Sequence, residues 1–169
     1  MIGRVLTLAG GLAGAGTLAQ FPEFSQQYLQ RLGGAVQALD QVVADFDASA
    51  ADLGLNRYQA LDQMQGTPFV EKRRVDMETT FARHARLTGD LTALRDTGPF
   101  MRVYHAGRMG DRDLLRGTWG DFKPALPLTF EGAVFAGSGL VMGGLAVALM
   151  LGAWRGMRRR MRAPRATVA

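Results

Sequence analysis

The chain has no cysteine and only two histidines, His84 and His105, 21 residues apart. The first absence excludes disulfides and thiolate metal sites. With no His pair at i, i+4 either, a zinc site is not expected, and no metal or cofactor is. Lysine is scarce too, two against 18 arginines, a bias typical of a GC-rich bacterial genome. No segment alternates β-branched and polar residues as a half-buried strand does. No Ser or Thr sits in a nucleophile-elbow context. The acids lie singly along helical stretches, at positions expected to be solvated, so no general acid and base pair stands out. The expectation is a non-enzyme with no catalytic residue, no cofactor and no small-molecule substrate.

Two Gly-rich apolar stretches are present instead. Gly132 to Trp154 is 23 residues without a charged side chain, followed by Arg155, Arg158, Arg159, Arg160, Arg162 and Arg165. At about 1.5 Å per residue it makes a helix of roughly 34 Å, enough to cross a hydrocarbon core of ~30 Å. Val5 to Ala19 is shorter, 15 uncharged residues behind Arg4. A signal peptide would begin similarly, but this core is richer in Gly than a signal h-region, and the reading is a retained, short membrane helix.

Charge distribution sets the orientation. The net charge is +5, yet residues 20–131 carry 13 Lys/Arg against 15 acids, and the excess lies in the C-terminal Arg cluster. A basic flank beyond a span marks the cytoplasmic side and attracts anionic headgroups. No basic stripe runs through the centre, so nucleic acid is not expected as a partner. Both termini are therefore expected in the cytoplasm and the middle in the periplasm. Residues 1–21 form the first transmembrane helix, 22–128 a helical periplasmic domain, 129–154 the second transmembrane helix and 155–169 a basic tail, frayed after Ala163.

The middle reads as helical. Tyr28, Leu32, Ala35, Leu39, Val42 and Phe46 make a seam spaced 4, 3, 4, 3, 4, with Pro22 in the first turn. Met77, Phe81, His84, Leu87 or Thr88, Leu91 and Leu94 make a second stripe over about Phe69–Arg95, His84 being read as a hydrogen-bonded core residue. The two are expected to pair as an antiparallel hairpin, since neither can bury its stripe alone. Asn56–Gln65 is expected to hold a short helix, and Phe100–Met109 and Asp111–Phe122 two more after the Gly98-Pro99 break. Glu71 to Glu78 reads as an exposed, mixed-charge helix face.

Gly14-Ala15-Gly16-Thr17-Leu18-Ala19 matches the dinucleotide fingerprint G-x-G-x-x-A, with Asp40 about 20 residues on. The fingerprint needs a preceding strand and a following βαβ unit, and Pro22 comes three residues later. Small residues in membrane helices serve close backbone approach instead. Gly10 and Gly14 match Gly139 and Gly143, and Gly144, Ala148 and Gly152 make a second row in the same span; these glycines are the expected helix-packing or partner contacts. Phe21, Phe24, Trp119, Phe122 and Trp154 stand where aromatic belts anchor a protein at the headgroup level. Thr129 is placed to cap the second span, with Glu131 in its first turn.

The run Thr118-Trp119-Gly120-Asp121-Phe122-Lys123-Pro124-Ala125-Leu126-Pro127-Leu128-Thr129-Phe130-Glu131-Gly132, with Phe21-Pro22-Glu23-Phe24 and Gln27-Tyr28, resembles a family of small bacterial inner-membrane proteins. The resemblance implies two spans and a helical periplasmic segment, and that family carries no assigned function. The expected fold is an all-α membrane protein. The expected role is a non-enzymatic accessory or scaffolding subunit whose partners are membrane lipids and other integral membrane subunits. The alternative is a transiently bound, periplasm-facing assembly or regulatory factor.

Overall fold

The computed structural model describes residues 1–125 and 128–162, with side chains through Arg158. It is all-helical: α1 (Ile2–Leu18), α2 (Phe21–Asp52), α3 (Arg57–Asp62), α4 (Pro68–Arg95), α5 (Pro99–Tyr104), a 3-10 turn at Ala106–Arg108, α6 (Arg112–Asp121) and α7 (Phe130–Arg162). Two helical stretches are long and apolar enough to cross a membrane, one at the N-terminus and one at Phe130–Arg158. The expected frayed tail after Ala163 lies outside the described residues.

The chain divides into two compact units, one of residues 1–23 with 123 onward and one of Phe24–Phe122. In the first, α1 packs antiparallel along α7. Pro22 accounts for the end of α1: it has no N–H to donate to the Leu18 carbonyl, and its ring crowds that carbonyl. At the opposite end Thr129 caps α7, accepting from the Gly132 N–H at 3.1 Å. The helix then runs unbroken past Trp154 into the Arg cluster, so the basic segment begins as helix.

The second unit is built on the α2–α4 hairpin. Phe46 meets Phe81 edge-on at 5.2 Å, and Asp40 meets His84 at 2.6 Å, so the pairs run in opposite directions along the two helices. Its core joins Tyr28, Leu32 and Val36 of α2 to Leu87, Leu91 and Leu94 of α4, with Met109 and Leu114 beneath. The expected seam holds at Ala35 and Leu39, which pack against this core, and at Phe46, and departs at Val42. Val36 and Val43 are buried beside it, and Val42 is 42% exposed against 8% for Val43. A straight helix of 3.6 residues per turn drifts about 20° per heptad, so a strict 4, 3 spacing slides off the contact face.

The connections are held by local chemistry. Asn56 and Gln59 form a reciprocal capping box at the start of α3. Arg57 grips Asp47 through two hydrogen bonds (2.8 and 2.5 Å) and lies 4.7 Å over the Phe81 ring. Thr67 caps α4, with Pro68 at its first position. Lys72–Asp76 and Arg74–Glu78 pair at i, i+4 along its exposed face. The expected Phe100–Met109 helix is shorter, ending at Tyr104 before the 3-10 turn.

Candidate functional site

Two places gather the residues with functional potential, one in each unit. The first is the α1–α7 contact. A Cβ added at Gly14 would fall under 3.0 Å from the Gly139 carbonyl oxygen, and one added at Gly139 would strike the Gly14 carbonyl in return. Gly143 and Gly10 stand in a similar relation one turn away, where a Cβ on Gly143 would meet the Gly10 oxygen. Only glycine permits this backbone approach, which maximises packing where lipid supplies no hydrophobic drive between helices. Gly144 borders the contact, where an added Cβ would lie 3.7 Å from Thr7, whereas a Cβ on Gly152 would meet nothing within 4 Å. The fingerprint Gly14-Ala15-Gly16 therefore lies inside α1 with Gly14 against α7, and no strand precedes it.

Polar groups along α1 are satisfied locally. Thr7 and Thr17 hydroxyls donate to the carbonyls of Gly3 and Ala13, both at 2.9 Å. Below the helix end, the Gln20 side chain donates to the Ala125 carbonyl and accepts from its N–H, both at 3.1 Å. This two-way amide contact ties the exit of α1 to the entry of α7. Phe21 packs on Phe135 at 5.5 Å. In the other unit Phe24, Trp119 and Phe122 form a mutual aromatic cluster with centroids 5.6–6.4 Å apart. Trp154 is exposed and carries the Arg158 guanidinium 5.2 Å above its ring. Arg155 is exposed too. Arg159, Arg160 and Arg162 fall on the last turns of α7, and their side chains lie outside those described.

The second place is a charged cluster in Phe24–Phe122 that corrects the expectation of solvated, scattered acids. Asp111 is buried, its side chain 6% exposed. It accepts from Arg86 (2.9 Å) and Arg83 (3.2 Å) on α4, and caps α6 through the Leu114 N–H (3.2 Å). Burial pushes its carboxyl up, but the Arg86 hydrogen bond, the Leu114 N–H and both guanidinium charges together hold it below the usual range. Asp90, also buried, accepts from Arg108 at 3.2 Å. The Tyr28 hydroxyl is buried beside Asp111, and burial raises its pKa. Arg86, Asp90, Tyr104, His105, Arg108 and Asp111 line an open cleft there.

Arg102 is a further buried charge. It donates to Gln26 Oε1 at 3.0 Å and to Ser25 Oγ at 3.5 Å, and burial lowers its pKa. Asp40 is exposed, as expected, and pairs with His84. One signal in the sequence pointed to Asp111: Gly110-Asp111 stands before Arg112-Asp113-Leu114, the pattern of a helix break followed by an N-cap. Nothing local marked Asp90 or Arg102.

Chemically the cluster matches each buried carboxylate with arginine and joins α4 to the 3-10 turn and to α6. Among the described residues, no three His, Asp or Glu converge as a metal ion would require. No curated protein and no solved structure matches the chain. A family does, over residues 2–160, described as "Protein of unknown function (DUF2937)". With nearly its whole length matched, the chain belongs to that family.

Proposed function

We propose that this chain is a two-span protein of the bacterial inner membrane and serves as a non-enzymatic accessory or scaffolding subunit of a larger membrane complex. On this reading both termini are cytoplasmic, and the Phe24–Phe122 unit is periplasmic. The α1–α7 hairpin is the anchor. Its glycine face is engaged within the chain, so Gly139 and Gly143 are not the surface offered to a partner.

The observation that carries the subunit reading is the far end of the α2–α4 hairpin. Leu53, Tyr58 and Phe69, from the end of α2, from α3 and from the start of α4, are all strongly exposed there. They sit about 45 Å from the start of α2, at 1.5 Å per residue over that helix. Exposed large apolar side chains grouped at one place mark protein contact surfaces. Tyr is a frequent anchor of such surfaces because it packs widely and keeps a polar tip. The charged cluster supports a non-enzymatic role, since its ion pairs join helix to helix.

Purification of the native chain in mild detergent, beside Tyr58→Ser/Phe69→Ser, tests this. A stoichiometric partner with the native chain, lost with the variant, supports the subunit reading. A partner retained equally by both would remove the hairpin tip from the argument. A partner captured only after cross-linking would favour a transient assembly or regulatory factor.

A further inference from the structure

Helix α5 is inside out. Its Arg102 is buried, while Phe100, Met101, Val103 and Tyr104 are all exposed. At about 100° per residue the four apolar side chains fall within an arc of about 160°, with Arg102 directly opposite. An ordinary surface helix turns its apolar stripe to the core and its charge to water. Here the charge is turned inward and fixed by Gln26 and Ser25, so the apolar face is held outward by a specific polar anchor.

That anchor also locates α5. Ser25 and Gln26 belong to the opening turns of α2, and Ser25 lies about 6 Å along the helix from Phe21, at 1.5 Å per residue. The anchor therefore holds α5 against the opening turns of α2, the helix that follows α1 directly in the chain. The Phe24–Trp119–Phe122 cluster places an amphipathic indole and two apolar rings beside the same end of α2.

We propose that α5 is an interfacial helix whose Phe100–Tyr104 face dips into the bilayer on the side where α1 ends. The occupant is the lipid headgroup–acyl boundary. Phe100, Met101 and Val103 enter the acyl margin, and Tyr104 lies at headgroup level. The unit then has a second hold on the membrane besides its two covalent connections. This inference rests on the two-span reading, and its test separates the two.

The native chain has no cysteine, so single reporters can be placed without background. Val103→Cys, with Tyr104→Cys as a second reporter for the same face, is labelled with an environment-sensitive fluorophore. Leu145→Cys on α7 and Ala51→Cys at the far end of α2 are labelled in parallel. Each full-length variant is reconstituted into vesicles of phosphatidylethanolamine and phosphatidylglycerol, then exposed to nitroxide-bearing lipid and, separately, to iodide. The expected result is quenching of the α5 reporters by nitroxide lipid and shielding from iodide, as for Leu145→Cys, with Ala51→Cys showing the reverse. If the α5 reporters behave like Ala51→Cys while Leu145→Cys is quenched by lipid, the spans stand and α5 does not enter the bilayer. If the α5 reporters are shielded from both quenchers, protein covers that face and the proposal is overturned. If Leu145→Cys is itself untouched by nitroxide lipid, the two-span reading fails and this inference fails with it.

Discussion

The Gly14 carbonyl oxygen occupies the place a Cβ on Gly139 would need, and the Gly139 carbonyl occupies the place a Cβ on Gly14 would need. This reciprocity makes the α1–α7 contact intolerant of any side chain at either position. The nearest atoms are backbone, and backbone cannot rotate away as a side-chain tip can.

Gly139→Leu or Gly14→Leu is therefore expected to force α1 and α7 apart. Overpacking of this kind costs about 1–3 kcal/mol, and each 1.4 kcal/mol is about tenfold in an equilibrium. Thr7→Cys/Gly144→Cys places two thiols across the contact, where a Cβ on Gly144 would lie 3.7 Å from Thr7. Oxidative cross-linking of that pair should be efficient in the native background and should fall steeply with either Leu substitution. Ala146→Leu, on an exposed position of α7, should leave the yield unchanged.

Asp111 separates ion pairing from capping. Asn is as good an N-cap as Asp, so Asp111→Asn removes the charge that Arg83 and Arg86 face while keeping the bond to the Leu114 N–H. A loss of about 1–3 kcal/mol is expected, since both arginines remain partly exposed to water. Asp111→Ala loses the cap as well, about 1 kcal/mol more. Denaturant unfolding followed by helical circular dichroism reads both differences.

The same residue gives a pH dependence with a defined sign. The folded-state pKa of Asp111 is depressed, so its stabilisation is fully present above the unfolded value of about 4 and is lost as pH falls through the lower folded value. Unfolding midpoints of the native chain and Asp111→Asn should differ at pH 7 and converge progressively below about pH 4. A constant difference down to pH 2 would detach the effect from this carboxylate.

The register of α2 is tested by adjacent valines. Val43→Asp buries a charge in the α2–α4 contact and is expected to cost several kcal/mol. Val42→Asp lies on an exposed position and should cost less than about 0.5 kcal/mol. Equal losses would restore the strict 4, 3 seam that the spacing of Ala35, Leu39, Val42 and Phe46 suggests.

What the sequence made legible was whatever repeats at short range. The Gly10–Gly14 and Gly139–Gly143 spacings, the Thr129 cap, the Asn56 helix and the hairpin stripes all follow from i, i+3 and i, i+4 relations along one helix. The charged cluster was not legible, because Arg83 and Asp111 are 28 residues apart and Arg102 and Gln26 are 76 apart. A single Asp among polar neighbours looks like a solvated residue until another helix closes over it. Val42 was misplaced by a smaller effect, the accumulated drift of a 3.6-residue turn from a 3.5-residue pattern. The inversion of α5 had no local signal, since Phe-Met-Arg-Val-Tyr reads as an apolar turn whichever way it faces.

The central claim is that α1 and α7 cross a membrane and leave the Phe24–Phe122 unit in the periplasm with both chain ends in the cytoplasm. Ala51 is exposed near the end of α2, whereas Ala50 beside it is buried, so Ala51→Cys is the reporter for the unit and Ala169→Cys the reporter for the C-terminal end. Intact cells with a permeable outer membrane are treated with a membrane-impermeant maleimide. Labelling of Ala51→Cys in intact cells, and of Ala169→Cys only after the inner membrane is opened, is the result expected. Labelling of Ala169→Cys while Ala51→Cys stays protected, or labelling of both before the membrane is opened, would contradict the claim.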